Sequence, residues 1–287
     1  MADPVASVGL SVIAAYLSKD GIEKLLGPTA EYLGNGLRDF TQRRIEAIGQ
    51  VLSSAYKKIG DKAESPGEVP PKVLGAVLNE ASYTNDMLAV EYFGGILASS
   101  RSGNSRDDRG ARQIKIIDML STYQLRAHYL IYTTVRKLFL DKNILVNMDG
   151  RPKMQIFIPF EDFLDGMDLN EQELDGGSQI LNHIFFGLHA DGLIEGMWQY
   201  GVKDSIVKVF PGAKTGGIVL QPSSLGVELY LAAFGCGSKE LEYIFSKELK
   251  VRVEGINDGF PNAIATKMDG ITAVMEKIGD TLKRFGR

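Results

Sequence analysis

A single cysteine, Cys236, excludes an internal disulfide and suits a reducing cytosol. No run of about 18 apolar residues occurs, so no membrane-spanning helix is expected. The longest candidate, residues 5–17, is shorter than that and broken by serines. The start, Met1-Ala2-Asp3-Pro4, lacks the basic residues of a secretory signal. A net charge of -4 gives no overall attraction to nucleic acid. Lysine and arginine are missing altogether from Met154 to Val202, where nine carboxylates stand: Glu161, Asp162, Asp165, Asp168, Glu171, Glu173, Asp175, Asp191 and Glu195. What remains has the composition of an ordinary globular protein, with 44% hydrophobic and 24% charged residues. A cytoplasmic protein is expected.

The richest stretch runs from Val69 to Arg101 and reads as two short helices. Pro70-Pro71 opens the first, since proline at the first helical turn gives up an amide that has no partner there. Thr84-Asn85-Asp86 supplies cap chemistry for the second, which continues through Tyr92-Phe93-Gly94-Gly95-Ile96-Leu97-Ala98-Ser99-Ser100 to Arg101. Two adjacent glycines inside a helix cost about 1 kcal/mol each relative to alanine, which calls for a close backbone neighbour or a kink.

These residues resemble the Abi-alpha (abortive-infection alpha) family, whose members carry a Pro-Pro start, an "EALxYTxD" turn and an apolar helix ending in "LLASSM". Two later motifs are similar to that family's "DGLI" step and "LTPLG" helix start: Asp191-Gly192-Leu193-Ile194, and Leu220-Gln221-Pro222-Ser223-Ser224-Leu225-Gly226. The resemblance covers roughly residues 20–236. It implies a role in bacterial anti-phage self-sacrifice and supplies no catalytic residues. The Gly94-Gly95 pair departs from the family, which has bulkier residues there.

The expected fold is mainly α with a small β component. Residues 1–64 form N-terminal helices, broken at Gly27-Pro28-Thr29 because proline cannot continue a helix. Leu33, Leu37 and Phe40, then Ile45, Ile48, Leu52, Ala55 and Ile59, recur on one apolar face. Val5, Val8, Ile13, Leu17, Ile22 and Leu25 give the first helix an apolar side. With Lys19 and Lys24 matched by Asp20 and Glu23, packing into the chain's own core is favoured over lipid. A linker at Ser65-Pro66-Gly67 leads into a helical core over 65–120. Residues 121–237 read as a winged-helix-like region. A helix capped by Ser121 is followed by a strand over Gln155 to Phe160 and a helix within Leu169 to Ala190. A hairpin of Ser205 to Phe210 and Gly217 to Gln221 comes next, then a helix capped by Ser223 and Ser224. Residues 238–287 form a tail. In it Ile264, Met268, Ile271, Met275, Ile278, Leu282 and Phe285 are spaced 4, 3, 4, 3, 4, 3, the seam of a heptad helix for self-association or a partner helix. Gly270 and Gly279 weaken that helix. Packing on the chain's own domain, or on lipid through Lys267, Lys277, Lys283 and Arg284, are the competing uses of the seam.

Chemistry is scarce. Arg101, Arg106, Arg109 and Arg112 are candidates for an anion or acidic partner, though Asp107 and Asp108 favour a self-neutralised loop. Gly212-Ala213-Lys214-Thr215 lacks the glycine-rich lead of a phosphate loop and sits in the expected hairpin. His183 and His189 are six apart, off metal-ligand spacing, and His128 reads as a packed or surface residue. Cys236 has no neighbouring histidine to activate it. The carboxylates of 161–175 show no calcium-loop spacing. No catalytic constellation, metal or cofactor is expected. The acidic would-be reading helix opposes specific DNA binding. The leading expectation is a non-enzymatic anti-phage component acting as sensor, adaptor or effector through protein contacts. Its partner would be a phage trigger or a co-encoded defence protein, with peripheral contact at the inner membrane as a further mode. A winged-helix transcriptional regulator is the alternative, and an enzyme with a dispersed site is third.

Overall fold

The computed structural model describes residues 13, 15–26, 42–84, 86–103, 106–140 and 142–266. Among them are eleven α-helices and one small antiparallel sheet. The chain divides into two compact units, one of residues 1–126, 228–240 and 250–253, the other of residues 127–227, 241–249 and 254–287.

The first unit is helical. Ser18 caps α1 (Lys19–Leu26), its Oγ accepting from the Gly21 amide at 3.1 Å. Ile13, Leu17, Ile22 and Leu25 are buried, as a core-facing side requires, while Val5 and Val8 lie outside the described residues. The start near Thr29 expected for the next helix also lies outside them. From Gln42 the chain is helical to Ile59 (α2), with Ile45, Ile48, Leu52, Ala55 and Ile59 buried along one stripe. Pro71 occupies the first position of α3 (Pro71–Glu80). Asp86 caps α4 (Met87–Ser100), accepting from the Leu88 and Ala89 amides at 2.7 and 3.1 Å.

α4 is buried on nearly every side, as expected of a helix apolar all round. Its two glycines serve two neighbours. A Cβ at Gly94 would stand 2.6 Å from Ser54 Oγ on α2. A Cβ at Gly95 would stand 1.7 Å from the Ala233 carbonyl oxygen, in the 228–233 part of the last helix. Both glycines therefore answer to close packing. α5 (Arg109–Met119) completes the unit, together with the first residues of α6 (Thr122–Phe139).

Ser121 and Gln124 cap α6 reciprocally, each side chain accepting from the other's amide at 3.2 and 2.9 Å. In the second unit β1 (Ile156–Pro159) leads into α7 (Phe160–Met167). The stretch expected as one helix over 169–190 is two, α8 (Glu171–Asp175) and α9 (Gly177–Ala190), parted at Gly176. β2 (Gln199–Gly201), α10 (Lys203–Val209), β3 (Gly217–Leu220) and α11 (Ser224–Ala233) follow. The sheet order is β2-β3-β1-β4, with β4 at Ile264–Ala265. The element order of this stretch is thus strand, three helices, strand, helix, strand, a mainly helical arrangement with a small sheet.

Two expectations are corrected here. Ser205 to Phe210 is mostly helix α10, and the partner of β3 is β2 instead. As a strand, this run would align Lys208 with Ile206 and Phe210 on one buried face. As a helix it places Ile206 and Phe210 one turn apart, both packed with Phe157, Ala213 and Val219. Ile264, read as the first seam position, stands in β4 opposite Phe157. Met268, Ile271, Met275, Ile278, Leu282 and Phe285 lie outside the described residues.

Candidate functional site

α9 contains the stretch that the sequence offers as a would-be reading helix. Its inward side is Ile184, Phe185 and Leu188, all fully buried. Phe185 stacks between Phe163 of α7 and Trp198, at ring distances of 5.5 and 5.9 Å, which fixes how the helix lies. Its outward stripe, at helical spacing, is Gln179, Asn182, His183, Phe186 and His189, all exposed. No residue of that stripe is lysine or arginine.

An aromatic group continues the stripe onto the strand that follows. Trp198 meets Phe186 edge-on at 5.1 Å and stacks on Tyr200 at 6.2 Å, and the Tyr200 hydroxyl donates to Asn182. His189 lies 6.4 Å from the same indole. Phe186 is 59% exposed, and Met197 and Val202, which flank Trp198 and Tyr200 in sequence, are 67% and 70% exposed. The nearest lysines come after it, on α10 and the following loop: Lys203, Lys208 and Lys214. Counting them with Asp204 against the nine carboxylates leaves residues 154–214 at 3 - 10 = -7.

The same unit holds a buried polar core. The Tyr132 hydroxyl donates to the Leu193 carbonyl at 2.6 Å and accepts the Ser223 amide at 3.0 Å. The fully buried His128 pairs its Nε2 with the Gly226 carbonyl at 3.2 Å, and burial pushes its pKa down to about 3. A Cβ at Gly226 would stand 1.9 Å from the Tyr132 hydroxyl, so this turn admits only glycine. Arg151 donates to Glu195 Oε1 and Ser224 Oγ, both at 2.7 Å, which takes one of the nine carboxylates into an ion pair.

A cavity of about 690 Å³ lies in the same unit. Phe157, Pro159, Phe160 and Pro261 wall it, with Glu161, Lys214 and Thr215 as its polar members. Its buried acid, Asp162, is committed to the Asn262 amide and side chain at 2.5 and 2.7 Å. No histidine or cysteine lines it. Among the described residues, no group of three or more His, Cys, Asp or Glu would hold a metal ion.

The arginines singled out in the sequence are on the other unit. Arg101 is turned inward, donating to the carbonyls of Lys24, Lys62 and Ser65 at 2.8, 3.0 and 2.6 Å, and burial lowers its pKa. Arg109 pairs with Asp107 at 2.9 Å, and Lys72 with Asp108 at 2.8 Å. Arg106 and Arg112 are exposed. Burial pushes the Cys236 thiol up, against the pull of Lys62 and Lys239, so it is no activated nucleophile. His183 is an exposed member of the α9 stripe. The aromatic group itself escaped sequence reasoning; its signal was Phe186 followed by Met197-Trp198-Gln199-Tyr200.

Compared with known proteins, the chain matches no family model, no curated protein and no solved structure. Among the described residues no helix is long and apolar enough to cross a membrane.

Proposed function

We propose that this chain is a non-enzymatic component of bacterial anti-phage abortive-infection defence, working through protein contacts made by its winged-helix unit. The observation that carries the protein-contact reading is the outward stripe of α9 with its aromatic extension. Phosphate contacts dominate affinity for nucleic acid. A helix without a single cation, in a segment of -7, is suited instead to the side chains of another protein. The defence context rests on the resemblance of the 69–101 and 191–226 motifs.

The second reading, a DNA-binding regulator, draws on Lys203, Lys208 and Lys214 within the β2–β3 connection. One experiment separates the two. Cells carrying the wild-type chain, or a Phe186→Asp, Met197→Asp variant, are challenged with phage, and both proteins are titrated with duplex DNA at physiological salt. Protection lost in the variant, with unchanged protein level and melting temperature, is the expected result. Sub-micromolar binding of duplex, abolished by Lys203→Glu and Lys208→Glu, would establish the regulator.

A further inference from the structure

One end of the small sheet gathers three segments of the second unit. β3 and β4 both run antiparallel to β1, with Gly217 opposite Pro159 and Ile264 opposite Phe157. The chain entering each of them therefore arrives where β1 ends and α7 begins. Both entering stretches, residues 212–216 and 261–263, line the cavity of about 690 Å³ together with the β1–α7 junction. Internal hydrogen bonds fix both sides. The Phe160 amide donates to the Gly216 carbonyl at 3.3 Å, and the Asn262 amide and side chain donate to the buried Asp162. A cavity shaped in advance spares its ligand the cost of ordering the site, and this volume falls within the range of about 300–1,000 Å³ usual for small-molecule pockets.

The lining calls for three features in one molecule. Phe157, Phe160 and the two prolines offer an apolar, aromatic wall suited to a flat ring. Lys214 and Thr215 offer a cation and a hydroxyl to an anionic group. Glu161 offers a carboxylate to hydroxyl or amino donors. Among the described residues these three side chains have no hydrogen-bond or ion-pair partner, whereas Asp162 beside them is fully engaged. Inorganic phosphate would satisfy the cation alone, and an aromatic carboxylate the cation and the wall. A nucleoside monophosphate carries the ring, the anion and the sugar hydroxyls together.

We propose that this cavity binds a nucleoside monophosphate, with its base on the Phe157–Phe160 wall, its phosphate on Lys214 and Thr215, and its ribose hydroxyls toward Glu161. The proposal does not rest on the protein-contact reading of α9, and its test uses no phage. The full chain is titrated calorimetrically with AMP and with GMP, and then with adenosine, ribose 5-phosphate, benzoate and inorganic phosphate. Lys214→Glu, Lys214→Arg and Thr215→Trp are titrated alongside. Both positions are exposed, so each variant should melt with wild type.

Saturable binding of AMP or GMP is expected. Removing the base (ribose 5-phosphate) or the phosphate (adenosine) should each weaken it about tenfold or more. Lys214→Glu should cost at least tenfold, Lys214→Arg should keep most of the affinity, and the indole of Thr215→Trp should block the cavity. No saturable heat with either nucleotide overturns the proposal. So does nucleotide binding that is unchanged in both Lys214→Glu and Thr215→Trp, which would place it elsewhere on the molecule. Inorganic phosphate or benzoate binding as tightly as the nucleotides also overturns it, leaving a general anion or aromatic-acid site. The ligand series on wild type decides the class even if a variant fails to fold.

Discussion

The two units treat their unusual residues in opposite ways. In the first, each oddity of sequence is absorbed by the unit itself. Gly94 and Gly95 admit Ser54 and the Ala233 carbonyl, Arg101 is spent on three carbonyls, and Lys58 and Lys115 meet Glu91 and Glu80. Burial pulls the Lys58 pKa down while Glu91 raises it, so that cation too is held for internal use. In the second unit Tyr132 and His128 are likewise spent on backbone partners, yet Phe186, Met197 and Val202 are exposed. Folding explains the glycines and the arginine; it does not explain the aromatics. Residues that the fold does not need are the better guide to function.

The sharpest way to break this contrast is Gly95→Ala. Its Cβ would meet backbone, the Ala233 carbonyl at 1.7 Å, so a loss of about 3 kcal/mol or more is expected in urea unfolding. Gly94→Ala should cost less, because the nearest atom is a serine hydroxyl. A neutral Gly95→Ala would mean the first unit is not closed in this way.

The second test turns to the polar core of the other unit. His128 is held neutral, its pKa pushed from 6.5 down to about 3 by burial. Between those values the unfolded chain binds a proton that the folded chain refuses, so stability falls as pH drops from about 6.5 toward 3. The slope from this group approaches 1.4 kcal/mol per pH unit, at about its largest. Unfolding free energies of wild type and His128→Gln measured against pH should differ by that slope, since glutamine does not titrate. Parallel curves would remove His128 from the polar core.

The smallest effect is expected at the surface of the first unit. Arg109 and Asp107 are 64% and 41% exposed, and such a pair contributes at most about 0.5 kcal/mol. Thermal melting of Arg109→Ala should match wild type within that margin, as a self-neutralised loop requires.

Much of the fold could be read wherever local chemistry dictates it. Pro71 opens α3, Asp86 caps α4, Ser121 caps α6 and Ser223 holds the Gly226 amide at 2.9 Å, all visible as residue types at fixed offsets. β1 is legible as a short apolar run bounded by Lys153 and Pro159, and β3 as a β-branched run after a glycine- and proline-rich turn. What failed depended on distant partners. Ile206-Val207 and Val209 look like a strand until Phe157 and Val219 supply the pocket that Ile206 and Phe210 fill together. Ile264 fits a heptad in sequence, yet Phe157 pairs it into the sheet. The face around Trp198 joins a helix and a strand nine residues apart, so neither periodicity shows it.

The tight seat of Gly95 has a consequence for how this protein is made. Ser99 on α4 donates to the Ala232 carbonyl 133 positions later, one turn along from the Gly95 contact. During synthesis the glycine notch of α4 leaves the ribosome long before the strand of atoms that fills it. At roughly 5–20 residues per second the wait is on the order of 10 s. For that interval the first unit carries an open groove in α4, while the whole of residues 127–227 is threaded out before its next segment, 228–240, is made. The nascent chain is therefore most exposed to wrong partners midway through its own translation, and the arrival of Ala233 closes that window.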